Sequence, residues 1–264
     1  MDKVRTVSDA KREFYALHTK PINSIYRRVI EELLVEMHLL SVNTDFQVDP
    51  IYCLGVVSSY DRFMQGYRPE PDIPAMYNAL CCAVHDDPGD YRQQANKALG
   101  ITERLDKASD FTAWLKNPDA QSDEEGALAD AVKAISANPK FKYSRLFGTG
   151  MYMLLEKTEP AILETEDARG PILEEISSTL GLPVDKFKKD VDLYRSNLEK
   201  LTEMLKVIED AIEAGRKQMK ERAERKEQEA ATKAEAENAE QSDAPTEIST
   251  PETASVEPTS DSSD

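Results

Sequence analysis

Phe187, Val191, Tyr194, Leu198, Leu201, Leu205, Ile208 and Ile212 follow one another at alternating steps of four and three residues, a spacing kept for more than three heptads. A strand would scatter these side chains over both faces, whereas an α-helix lines them up as a single seam of the coiled-coil kind. The segment is therefore expected to be helical, with something against its apolar stripe. A free seam favours self-association or a helical partner, and a seam docked on the rest of the chain leaves only its charged face for binding. Beyond Gly215 the seam fades to Met219 alone while Glu, Lys, Arg and Ala dominate through Glu237, so the helix is expected to continue on propensity and ion pairs. Over 184–237 it would be roughly 80 Å long.

The same helical rhythm recurs upstream. Ile22, Ile25, Tyr26, Val29, Ile30, Leu33, Leu34 and Met37 share one face of a helix expected to open at Pro21, with Arg27, Arg28, Glu31, Glu32 and Glu36 on the other. Thr6 or Ser8 is a candidate cap for a short helix before it, through Phe14 and Leu17. Asp49 and Pro50 have the cap and first-turn chemistry of another, running towards Gly66 with Leu54, Val57, Phe63 and Met64 inward. After the breaker from Arg68 to Pro74, helix resumes through Met76, Tyr77, Leu80, Cys81 and Val84 and is expected to close at Pro88 and Gly89. Weaker Ala-rich helices are expected over 91–99, 102–116 and 123–137. The segment 141–155 is rich in large apolar groups, although Gly148 and Gly150 argue against a straight helix in its first half, and a last core helix spans 171–180 before Gly181 and Pro183. The expected fold is all-α: a helical core domain over 1–183, a long charged helix over 184–237 with its seam at 187–212, and a tail over 238–264.

That tail holds seven acidic and no basic residues among its 27, with three prolines and many Ser and Thr, the composition of a segment that cannot offset its chain entropy by burial. The whole chain carries a formal charge of −17, which argues against nucleic-acid binding, since that rests on Lys and Arg neutralising phosphates. No run approaches the roughly 20 apolar residues that span a bilayer, so any membrane contact is expected to be peripheral. The start, MDKVRTVSDAKREFY, has neither a secretory core nor the Ser- and Arg-rich character of a transit extension, which sets the expectation of a protein kept where it is made, as in a bacterial cytoplasm. Cys53, Cys81 and Cys82 are expected to be reduced thiols, because an odd set with two adjacent members is no disulfide framework.

Candidate chemistry is sparse. Glu31, Glu32, Glu36 and His38 invite comparison with helical di-metal sites, but those place Glu and His three residues apart and Val35 occupies that position. Arg28, Glu32 and Glu36 more simply make a solvated ion-pair ladder. Cys81 and His85 lie one turn apart and would hold a metal only if Cys53 or Asp86 completed the set. There is no phosphate-binding glycine loop, nucleophile elbow or zinc-protease helix, and no enzyme activity is expected. Lys140, Lys142, Tyr143 and Arg145 interleave with Phe141 and Phe147, which suits either an anionic lipid surface or an ordinary helix start with solvated cations.

Three blocks carry a resemblance: VRTVSDAKREFYALHTKPINSIYRRVIEELLVEMHLLSVN at 4–43, DPIYCLGVVSSYDRFMQGYRPE at 49–70 and FKYSRLFGTGMYMLLE at 141–156. Together they resemble the thylakoid formation, or photosystem II biogenesis, family of cyanobacteria and chloroplasts. The resemblance implies an all-helical, non-enzymatic and cofactor-free auxiliary factor, peripheral on the cytoplasmic side of the thylakoid. It would support photosystem II assembly and repair by association with a membrane-bound protease of the FtsH type, with photosystem II subunits as further partners. A pigment- or metal-handling role through Cys81, His85 and His38 is the alternative. Arg27, Arg28, Asp61 and Arg62, the conspicuous charges of the first two blocks, are the candidate partner surface.

Overall fold

The computed structural model describes residues 5–240, and among them the secondary structure is helical throughout. Ten α-helices follow in order: α1 (Val7–Leu17), α2 (Ser24–Ser41), α3 (Pro50–Phe63), α4 (Asp72–Cys82), α5 (Pro88–Gly100), α6 (Ala108–Lys116), α7 (Asp123–Ala137), α8 (Arg145–Thr158), α9 (Glu166–Leu180) and α10 (Val184–Glu240). Short 3-10 turns follow α5 and α8. Of the acidic tail expected over 238–264, everything from residue 241 lies outside the described residues.

Local chemistry explains most of the boundaries. The Thr6 hydroxyl accepts from the Asp9 N–H at 3.3 Å while the Asp9 carboxylate accepts from the Thr6 N–H at 3.0 Å, a reciprocal box that starts α1. One carboxylate oxygen of Asp49 accepts from the Ile51 and Tyr52 N–H groups, each at 2.9 Å, and opens α3. Two starts differ from expectation. α2 begins at Ser24 rather than Pro21, because the Asn23 side chain takes the Ile25 N–H at 3.1 Å and so fixes the first turn. Pro88 and Gly89 do not close α4 but form the first turn of α5, where the missing proline donor costs nothing and Asp87 accepts from the Gly89 N–H at 2.7 Å. The segment 102–116 divides into a 3-10 turn, Ile101–Glu103, and α6, while α9 begins upstream at Glu166 and carries Pro171 within its second turn.

The chain divides into two units, one through Leu205 and one from Lys206. In the first, α3 is buried at ten of its 14 residues, as expected of a helix apolar on all sides. Ile51 and Leu54 face a core layer built from α5 to α9 and the start of α10, while Tyr52, Cys53, Val56 and Tyr60 face a second layer with α1, α2 and α4. α8 packs on α3 at van der Waals limits. A methyl group added to Gly55 would overlap the Leu146 carbonyl, and one added to Gly150 would overlap the carbonyl of Ile51. The glycines that argued against a straight helix are therefore inside α8, and Gly150 faces the crossing. Phe187, Val191 and Tyr194 of α10 are buried in the first layer, and Leu198 packs partly buried against it.

The second unit stands apart in character. Every described side chain from Lys206 to residue 230 is exposed, including Val207, Ile208, Ile212 and Met219. Its helix is supported by turn-spaced ion pairs, among them Lys220–Glu224 at 3.9 Å and Arg225–Glu229 at 3.5 Å.

Candidate interaction surface

The charged face of α2 is where the first unit's surface chemistry collects. Lys11 of α1 reaches Glu31 at 2.6 Å, and the Tyr15 hydroxyl donates to the same carboxylate at 2.8 Å. These two hydrogen bonds, that of Lys11 foremost, hold the Glu31 carboxyl below its usual range despite some burial. Arg28 pairs with Glu32 one turn on, at 2.9 Å. Glu36 does not extend that ladder. Instead it accepts from the Arg145 guanidinium at 2.7 and 3.0 Å and from the Leu146 N–H at 3.3 Å, so one carboxylate clamps α2 to the positive N-terminal end of α8.

Lys11, Arg28, Arg145 and the three glutamates line a hollow of about 990 Å³ that also contains Arg27, Lys142 and Lys186. Its three lining carboxylates, Glu31, Glu32 and Glu36, are each engaged by a cation. Arg27, Lys142 and Lys186 are exposed and have no ion-pair partner among the described residues, although the Lys186 ammonium lies 5.2 Å from the centre of the Tyr143 ring. Within a chain of net charge −17, this is a local cationic basin. The aromatic residues once paired with it in sequence have other duties: Phe147 is fully buried and Phe141 packs against the core.

A second hollow of about 470 Å³ adjoins the first, and Arg28, Glu32 and Arg145 line both. It runs between α2, α3, α8 and the first part of α10, and its floor is apolar, with Val29, Leu33, Phe63, Leu146, Leu201 and Met204. Ile25 and Leu193, 45% and 44% exposed, stand on its α2 and α10 sides. The three-residue spacing in α2 reveals Ile25 in sequence, but only the crossing of four helices makes a groove of it.

The four charged candidates separate into two pairs. Arg27 and Arg28 belong to the cationic basin. Asp61 is held by a two-pronged contact from Arg92, both distances 3.0 Å, while Arg92 also lies 4.2 Å from the centre of the Tyr77 ring. Arg62 forms a half-buried ion pair with Glu156 of α8, to which Tyr152 also donates at 3.1 Å. The residues considered for metal or pigment are dispersed. Cys53 and Cys81 are buried among apolar neighbours, which pushes both thiols up, Cys81 to about 12. His85, one turn from Cys81, instead points outward beside Glu13 at 3.4 Å, and His38 is buried in α2. Among the described residues no three His, Cys, Asp or Glu side chains converge as a metal would require.

Comparison with known proteins adds a frame. Residues 6–223 match the family described as thylakoid formation protein. Protein Thf1 of Gloeothece citriformis is 51% identical over 217 residues, covering 82% of this chain and 96% of that protein. Protein Thf1 of Synechocystis is 47% identical over 223 residues, 84% and 92% of the two chains. A solved structure of Psb29 superimposes with a TM-score of 0.61 at 38% identity, covering 75% of this chain and 98% of the other.

Proposed function

This chain belongs to the thylakoid formation protein family, and from that premise we propose that it is a non-enzymatic auxiliary factor in photosystem II assembly and repair, an adaptor or stabiliser of a membrane-bound FtsH-type protease complex. The observation that carries the reading is the extent of the family match, residues 6–223, which takes in all but the first five residues of the compact unit and also the exposed apolar stripe that follows it, under a family name that denotes thylakoid formation and no reaction. Among the described residues no helix is long and apolar enough to cross a membrane, and the proposal puts the protein peripherally on the cytoplasmic side of the thylakoid. Arg27 is the best-supported member of the partner surface, since Arg28, Asp61 and Arg62 each already have an ion-pair partner within the fold. Val207, Ile208, Ile212 and Met219 offer a second contact, for a partner helix or a second copy.

Affinity capture of the tagged full chain from detergent-solubilised cyanobacterial thylakoids tests this. The protease is expected to co-purify above an equally acidic control protein, and its absence overturns the reading. A companion truncation has to fall after Leu205. One placed at Val184 would remove Phe187, Val191 and Tyr194 from the core and would report unfolding instead of lost contact.

A further inference from the structure

The two adjoining hollows differ in chemistry and share a wall, and together they specify a guest. The apolar half leaves Ile25 and Leu193 half-exposed at its sides above a floor of aliphatic and aromatic groups, a surface that gains by covering with apolar side chains. The cationic half leaves Lys142 and Lys186 without carboxylate partners and Arg27 with only a through-space pull on Glu31, which Lys11 already holds, whereas Arg28 and Arg145 in the shared wall are neutralised by Glu32 and Glu36. A guest that meets both halves must carry an apolar stripe with carboxylates beside it. The walls add a third constraint. Around the apolar half they are helices alone, α2, α3, α8 and α10, whose backbone groups are internally bonded, so that half has no free strand edge with which an extended peptide could pair. A guest that buries its backbone there has to satisfy its own hydrogen bonds, which a helix does.

We propose that the groove between α2, α8 and the first part of α10 is the docking site for an acidic amphipathic helix of a partner protein, the apolar stripe against Ile25 and Leu193 and the carboxylates over Arg27, Lys142 and Lys186. The inference deepens the adaptor reading and rests on it, in that the groove is where such a partner is held. A surface acidic overall and basic here repels an acidic helix elsewhere and orients it at this place.

The test titrates the full chain into a fluorescent synthetic helix, stapled, with Leu at three- and four-residue steps flanked by Glu. Two control helices replace Glu with Lys or Leu with Ser. The acidic amphipathic helix is expected to bind at least about tenfold more tightly than either control, and more weakly as salt is raised. Lys142→Glu with Lys186→Glu, and separately Leu193→Glu, should each weaken it roughly fivefold or more. All three positions are exposed, and an unchanged thermal transition confirms folding, with Leu193→Gln as the milder substitute. Equal binding of the three helices, or indifference to both variants, overturns the proposal. Two other outcomes also overturn it. One is capture of vesicles containing phosphatidylglycerol, lost on charge reversal, with no binding of the acidic helix, which would assign the basin to lipid headgroups. The other is a dimer in sedimentation that Leu193→Glu abolishes, which would assign the groove to a second copy. Co-purification separates this inference from the reading beneath it. If the protease is retained by the parent chain and equally by the groove variants, the groove fails alone. If the parent retains none, the adaptor reading fails.

Discussion

The first and second parts of α10 have the same periodicity and opposite fates. Through Tyr194 the seam supplies core residues, Phe187 at 0% exposure and Val191 at 1%, and through Leu205 it stays partly buried, whereas Ile208 and Ile212 continue the spacing at 42% and 51%. Nothing in the three-and-four rhythm marks the change. Periodicity states that a stripe exists; what covers the stripe depends on the surfaces that other elements bring up to it. The core layer built from α5 to α9 ends where α10 still has more than thirty residues to run.

The largest effect that sharpens this contrast is a pair of truncations. Phe187→Ala should cost about 3–5 kcal/mol in urea unfolding, while Ile212→Ala should stay within about 0.5 kcal/mol. Equal losses would mean that the second part is buried in solution and would break the comparison. Glycines make the same point with opposite signs. Gly150→Ala forces the α3–α8 crossing apart and should cost about 1–3 kcal/mol or more. Gly215→Ala has open space around the added methyl and should stabilise its helix by about 0.5–1 kcal/mol, seen as a gain in ellipticity.

Desolvation of charge distinguishes the regions too, because the charged side chains described from Lys206 to residue 230 are exposed, while the partly buried Asp49 carboxyl is pushed up to about 7 by loss of solvent, against the opposing pull of its two backbone donors. A carboxyl raised on folding binds more protons in the native state, so its contribution to stability falls as pH rises from about 4 to about 7 and is flat above. Asn keeps the cap and removes the charge. Asp49→Asn should therefore match the parent near the lower limit and exceed it by about 1–2 kcal/mol above neutrality, in thermal unfolding followed across pH. A constant difference across pH would show that the carboxyl is not protonated by folding. The smallest effect belongs to the second region. Raising salt should weaken Lys220–Glu224 and Arg225–Glu229 by a few tenths of a kcal/mol each, visible only as fraying of the helix.

Much of the fold was legible because the deciding signals are local. The Thr6 and Asp49 caps, the inward face of α2, the bounds of α7 and the left-handed Gly181 after α9 are each set within a few residues. Pro88 misled because a proline is equally at home after one helix and in the first turn of the next, and the Asp87 side chain decides between them. The candidate surface was half legible. Arg27 and Arg28 stand out in α2, but Lys142 and Lys186 come from distant segments, and the ladder ascribed to Arg28, Glu32 and Glu36 ends at Glu32 because Arg145 claims Glu36.

By itself the sequence determined that this chain is helical and that residues from 187 to 212 form one stripe, since helix propensity, caps and three-and-four spacing act over a single turn. The tertiary structure alone decided that Gly55 and Gly150 admit a helix crossing, that the stripe is core to Tyr194, partly buried to Leu205 and exposed beyond, and that three cations from α2, α10 and the approach to α8 share one basin. Those outcomes depend on distances between residues far apart in the chain, and a distance of that kind exists only once the helices have packed.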